Sequence, residues 1–246
     1  MRRYSIFVIL AGMFMAISGL VYLLHYYIFR DVHHIFIYMV GDLAFLPLEV
    51  FIVVIVIERI LTHREKQSVL QKLNMVIGAF FSEAGTTLLK VFSDFDPYRD
   101  KISQELIVTL DWSKPDFARA RTQAKKYDYT VNIQQGNLEG LRGFLIGKRG
   151  FLLRLLENPN LLEHESFTNL LWAIFHLTDE LAYRVDVSKL PATDYEHLAN
   201  DMKRAYGLLV SEWIAYMQHL KDSYPYLYSL AVRTNPLDPN ASPEVR

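Results

Sequence analysis

The sequence predicts an all-α chain: a two-helix transmembrane hairpin followed by a cytoplasmic helical bundle. Three observations predict it. No charged residue occurs over residues 5–24, and over 35–57 only Asp42 and Glu49 are charged. Beyond residue 60, apolar residues recur at helical spacing and are separated by Pro, Gly and Asn turns. No stretch alternates long enough for a strand; residues 131–135 are too few.

The first span covers about residues 5–28 and the second about 35–58, each near the ~20 residues that cross a bilayer core. A basic start followed by an apolar run also resembles a signal peptide. Here the run is too long for a signal core, and no small-x-small cleavage site follows it. The loop over 29–34 has room only for a tight hairpin. Arg2 and Arg3 precede the first span, and Arg59, Arg64, Lys66 and Lys72 follow the second, whereas the loop holds only Arg30. Basic flanks stay inside, so the expected location is the cell (inner) membrane, multi-pass, with both termini cytoplasmic. Tyr22, Tyr26, Tyr27 and Tyr38 would form the outer aromatic belt.

Within the spans, Asp42 and Glu49 are seven residues apart and share a helical face. At helical rise, Asp42 lies ~10 Å below the outer edge, level with Ser18 and Gly19. Glu49 lies ~20 Å down, level with Gly12. Gly12, Ala16 and Gly19 form a small-residue stripe that lets backbones approach closely. The expectation is that this stripe receives the carboxylate face of the second span in the hairpin, with each carboxyl hydrogen-bonded across the hairpin or to a copy of itself. Intramembrane carboxylates are costly and often functional, so an oligomeric cation or proton pathway is the alternative. Pro47 between them should kink the second span. His25, Asp31, His33 and His34 near the loop carry metal-ligand side chains, but adjacent histidines rarely hold one ion.

Residues 61–97 read as a juxtamembrane seam helix, with Leu61, Val69, Leu73, Ile77, Phe80, Ala84, Leu88 and Val91 near 3.5-residue spacing. Asp94, Asp96 and Pro97 end it. Glu83 lies inside this seam and is the candidate buried acid, needing a basic or hydrogen-bonding partner unless it faces out. Residues 98–234 form the cytoplasmic bundle. A helix spans about 98–109, and Ser113 caps the next one with Pro115 in its first turn. A helix over about 138–156 carries Gly140, Gly143, Gly147 and Gly150. Its Gly147-Lys-Arg-Gly150 stretch lacks the spacing and the Ser or Thr of a phosphate loop. Arg142, Lys148, Arg149 and Arg154 make one side of it basic, either a solvated face or a surface for the inner leaflet. Further helices cover about 164–183 and, opened by a Thr193–Glu196 capping box, run to about 222. A short last helix covers 224–232, and residues 235–246, with three prolines, are expected to be disordered.

The constellation with possible chemistry is His176 with Asp179, and Asp194 with His197, each at i, i+3 beside one shared turn; Glu180 is i+4 from His176. Such a set could hold a metal. The Glu-x-x-His pairs of a di-iron bundle are missing, and ion pairs such as Arg184 with Asp194 or Glu196 compete. No cofactor is identified.

Composition bounds the rest. The 246 residues suffice for an anchor and one soluble domain. A net charge of -1 gives no field that would recruit nucleic acid. The absence of cysteine excludes disulfides, thiolate nucleophiles and zinc–thiolate sites. No catalytic motif is present, so the leading expectation is a non-enzymatic assembly, scaffold or sensory subunit. Its expected partners are membrane lipid, a further copy of the chain and a protein partner; a metal-binding helical bundle is the other alternative.

Overall fold

The computed structural model describes residues 2–245, with the backbone alone for 2–8, 67, 102–105 and 162. Met1 and Arg246, which bound the first and last predicted regions, lie outside the described residues. Every regular element among the described residues is helical. The chain divides into two compact units, Met1–Glu65 and Lys66–Arg246.

The first unit holds α1 (Arg2–Phe29) and the leading part of α2 (Val32–Phe80). The turn between them is Arg30 and Asp31 alone, tighter than the predicted loop. Arg30 sits at φ 51°, a left-handed conformation that costs a non-glycine residue roughly 1–2 kcal/mol. The turn is held at both ends. Arg30 N–H donates to the Tyr26 carbonyl at 2.8 Å, and Asp31 Oδ1 accepts from the His33 and His34 N–H groups at 2.9 and 3.3 Å. His25 and His34 stack with centroids 5.7 Å apart, and His34 meets Tyr38 edge-on at 4.8 Å. These polar side chains therefore cap and pack the turn.

From Ile9 to Glu65 the side chains are exposed, apart from the half-buried His25, His34 and Ile35. Both helices contain a stretch long and apolar enough to cross a membrane, and none of either stretch is buried within the chain. An exposed apolar surface this large marks a site of contact with protein or with membrane. Pro47 lies inside α2, where it removes a donor and frees a carbonyl.

In the second unit α2 ends at Phe80 and a π-helical turn, Phe81–Gly85, leads into α3 (Thr86–Asp94). The sequence predicts one uninterrupted helix here. Adjacent residues on an α-helix point ~100° apart, yet Phe80 and Phe81 are both buried in the core. One extra residue in the turn reconciles the two directions. The Thr86 hydroxyl donates to the Phe81 carbonyl at 2.8 Å. Gly85 is required by proximity, since a Cβ there would lie 2.6 Å from Phe80 Cε1 and 2.7 Å from Phe81 Cδ1.

The remaining helices are α4 (Arg99–Leu106), α5 (Lys114–Lys126), α6 (Leu138–Leu156), α7 (Glu165–Tyr183), α8 (Ala192–Ser223) and α9 (Pro225–Arg233), with a 3-10 turn at Pro159–Glu163. Ser113 and Asp116 form a capping box before α5, with Ser113 N–H donating to Asp116 Oδ2 at 2.8 Å. Before α8 the predicted Thr193–Glu196 box does not form. The helix starts at Ala192, and Asp194 N–H bonds the Pro191 carbonyl at 2.9 Å.

The 32-residue α8 is the axis of this unit, with α3, α5, α7 and α9 packed on it. The buried core runs from Leu73 to Leu237 and is rich in rings. Phe81 stacks on Tyr216 at 4.8 Å and meets Trp213 edge-on at 5.3 Å, while Phe80 meets Phe167 at 5.4 Å. The chain after Thr234, expected to be disordered, instead turns back onto this core. Asn235 and Leu237 are buried, Asn235 Oδ1 accepts from Leu237 N–H at 3.1 Å, and the Arg233 guanidinium donates to the Pro243 carbonyl. Asn and Asp side chains at 235 and 238 satisfy the local N–H groups, so the prolines build turns.

Candidate functional site

A chain that reverses over 184–191 brings α7 and α8 together antiparallel, and the apolar stripes Leu170, Ile174, Leu177 and Leu198, Met202, Leu209 bury their shared face. Polar side chains at the margin of that face are then fixed opposite one another. His176 lies across from Asp201, with Nε2 to Oδ2 at 3.1 Å. His197 lies across from Glu180, with Nε2 to Oε2 at 3.6 Å. Along each helix the partners are four apart. His176 Nε2 is 3.8 Å from Glu180 Oε1, and His197 Nε2 is 3.4 Å from Asp201 Oδ2. One ligand atom from each of the four lies within 4.8 Å of the others.

Arginines surround the cluster. Arg184 donates to Glu180 Oε2 at 2.7 Å and grips both oxygens of Asp194 at 2.5 and 2.8 Å. Its hydrogen bonds hold the Glu180 and Asp194 carboxyls below the usual carboxylate range, against a smaller upward push from burial. Arg204 donates to Asp201 Oδ1 at 2.8 Å. The side chain of Asp201 is 9% exposed, and its Oδ2 is buried without a hydrogen bond among the described residues. Both imidazoles are about half exposed. Beside His176 an open groove of about 650 Å³ runs past Trp172, Arg204 and Leu208.

The structure thus joins two of the four predicted metal-site residues, His176 and His197, and separates the other two. Asp179 turns away to Arg149 at 3.0 Å, and Asp194 is held by Arg184. Glu180 and Asp201 take their places. The signal was the i, i+4 spacing, which the sequence carries twice, as His176-x3-Glu180 and His197-x3-Asp201. A four-residue step turns a helix by ~40° net and a three-residue step by ~60° the other way, and the arginines decide between them.

Glu83 is not buried. Its side chain is 55% exposed and accepts from Lys148 Nζ at 2.7 Å, and that hydrogen bond lowers its pKa. Arg142 bonds the Leu181 carbonyl and Glu139, and Arg149 lies over the Phe175 ring at 4.9 Å. Most of the basic side of α6 is therefore engaged within the bundle. In the first unit Asp42 and Glu49 are exposed and make no hydrogen bond or ion pair among the described residues. Gly12, Ala16 and Gly19 are exposed too, and a Cβ at either glycine would meet nothing within 4 Å. The stripe does not receive the carboxylate face within one chain.

Two family descriptions match the chain. "MJ1433, N-terminal helical domain" matches residues 2–61, and "Uncharacterized protein MJ1433, C-terminal helical domain" matches residues 69–233. The Uncharacterized protein MJ1433 of Methanocaldococcus jannaschii is 45% identical over 237 residues, which are 96% of this chain and 94% of that protein. No solved structure matches.

Proposed function

The chain belongs to the MJ1433 family, and we propose that it is a membrane-anchored, non-enzymatic assembly, scaffold or sensory subunit. One observation carries the reading: two adjoining apolar helices, of which nothing in the membrane-length stretches is buried within the chain. A hairpin over residues 1–60 dips through the inner membrane, and the helical bundle stands in the cytoplasm. The basic residues on both flanks of the hairpin, against Arg30 alone in the turn, support that orientation. A second copy of the chain is the natural cover for the bare stripe of Gly12, Ala16 and Gly19 and for the unpaired Asp42 and Glu49, because a carboxylate in lipid needs a partner.

The cysteine-free sequence allows a direct test. His33→Cys and Ser242→Cys chains are treated in intact cells with a membrane-impermeant maleimide. Labelling of the first, and of the second only after lysis, is expected. Recovery of the protein in the soluble fraction, or the reverse labelling pattern, overturns the anchor. The mass of the detergent-solubilised complex tests the second copy, and a monomer removes that part of the reading.

A further inference from the structure

We infer that His176 and Glu180 of α7, with His197 and Asp201 of α8, form a binding site for one divalent first-row transition-metal ion. The geometry comes first. The four imidazole-to-carboxylate separations are 3.1, 3.4, 3.6 and 3.8 Å. Ligand atoms ~2.0–2.2 Å from a tetrahedral ion stand about 3.3–3.6 Å from one another. With Glu180 Oε1 as the ligand atom and Oε2 left to Arg184, the separations 3.1, 3.4 and 3.8 Å share one set of atoms near that edge, and the four ligand atoms, all within 4.8 Å of one another, must draw together to close on one ion.

The second observation is the orphaned oxygen. Asp201 is nine-tenths buried, and its Oδ2 has no hydrogen bond among the described residues although both imidazoles converge on it. Leaving a buried carboxylate oxygen unsatisfied is costly, and a cation removes that cost. The oxygens beyond the cluster are already oriented. Arg204 holds Asp201 Oδ1, and Arg184 holds Glu180 Oε2. Outer hydrogen bonds of this kind fix the direction in which a ligand atom points. All four ligands stand on helices that are packed along a shared apolar face, which fixes them better than loops would.

Ligand chemistry selects the ion. Two imidazoles disfavour magnesium and calcium, and the lack of sulfur disfavours copper(I). Two carboxylate ligands supply anionic oxygens for a divalent ion, and the outer ion pairs of Arg184 and Arg204 offset part of their charge. The half-exposed imidazoles and the groove beside His176 give the ion a route in. None of this depends on where the apolar helices reside.

The test uses the untagged full chain in detergent, stripped with chelator and titrated with zinc(II) alone against a chromophoric competitor. One zinc per chain is expected. The His176→Ala/His197→Ala pair should bind at least 100-fold more weakly, and Asp201→Asn at least 10-fold. Asp179→Asn, whose residue faces Arg149, should bind as the parent does. Cobalt(II) on the unsubstituted chain should give the intense visible bands of four-coordinate cobalt, a readout that needs no variant to fold. Absence of stoichiometric zinc, affinity unchanged in the double variant, or the faint spectrum of six-coordinate cobalt would each overturn the site. Failure here leaves the membrane anchor untouched, because the anchor is read by labelling and not by metal.

Discussion

Asp96 lies in the turn after α3 with no exposed surface. One of its oxygens accepts from Tyr98 N–H at 2.8 Å, and the other has no partner among the described residues. Burial raises its pKa above the ordinary 3.8, and the Tyr98 N–H lowers it by less. The folded state therefore holds this proton more tightly than the unfolded chain does. The stability it contributes is full below the unfolded value and is lost as pH rises through the folded one. Asp96→Asn keeps the acceptor for Tyr98 and discards the charge. It should stabilise the fold at pH 7 by roughly 1 kcal/mol and change little at pH 3. Urea midpoints at the two pH values read the difference, and equal stability at pH 7 would refute it. Single residues were legible in the sequence only where one helix decides their surroundings. Ser113 caps α5 as expected, and Asp116 completes the capping box with it. Glu83 was ambiguous because its neighbour Lys148 comes from α6, and Asp179 was misplaced because Arg149 pulls it aside.

Helices, as elements, were far more legible, because their apolar period and their punctuation are local. Leu138 and Leu156 bound α6 where the sequence places them, with Asn137 accepting from Gly140 N–H at 2.8 Å. The π-helical turn at Phe81–Gly85 was hidden. Its cause is the demand of α8 and α7 on two adjacent rings, which no local pattern records. Two glycine substitutions separate packing from propensity. Gly85→Ala drives a methyl toward Phe80 and Phe81 and should cost about 1–3 kcal/mol. Gly143→Ala, on the open side of α6, meets no atom within 4 Å and should stabilise by about 0.5–1 kcal/mol. Thermal melts of the two variants should move in opposite directions; movement in the same direction would mean that the π turn tolerates repacking.

At the scale of the whole molecule, the two units differ in what they can do alone. Among the described residues, every residue of the buried core lies at or beyond Leu73. A chain beginning at Lys66 should be soluble, helical and cooperative, with a melting temperature within ~3 °C of the full chain in detergent. An aggregated or non-cooperative product would show that the division at Glu65 is not a folding boundary. The all-helical class was legible because both halves of the sequence carry long uninterrupted periods. The order of packing was not, since it depends on α8, which gathers elements from far up the chain. That late position of α8 has a consequence for biosynthesis. Phe81 cannot find Trp213 and Tyr216 until α8 has left the ribosome. At ~5–20 residues per second, the two apolar helices are complete on the order of ten seconds before α8 can close the core around Phe81. The core of the second unit therefore stays unsealed on the ribosome until its last long helix has been made.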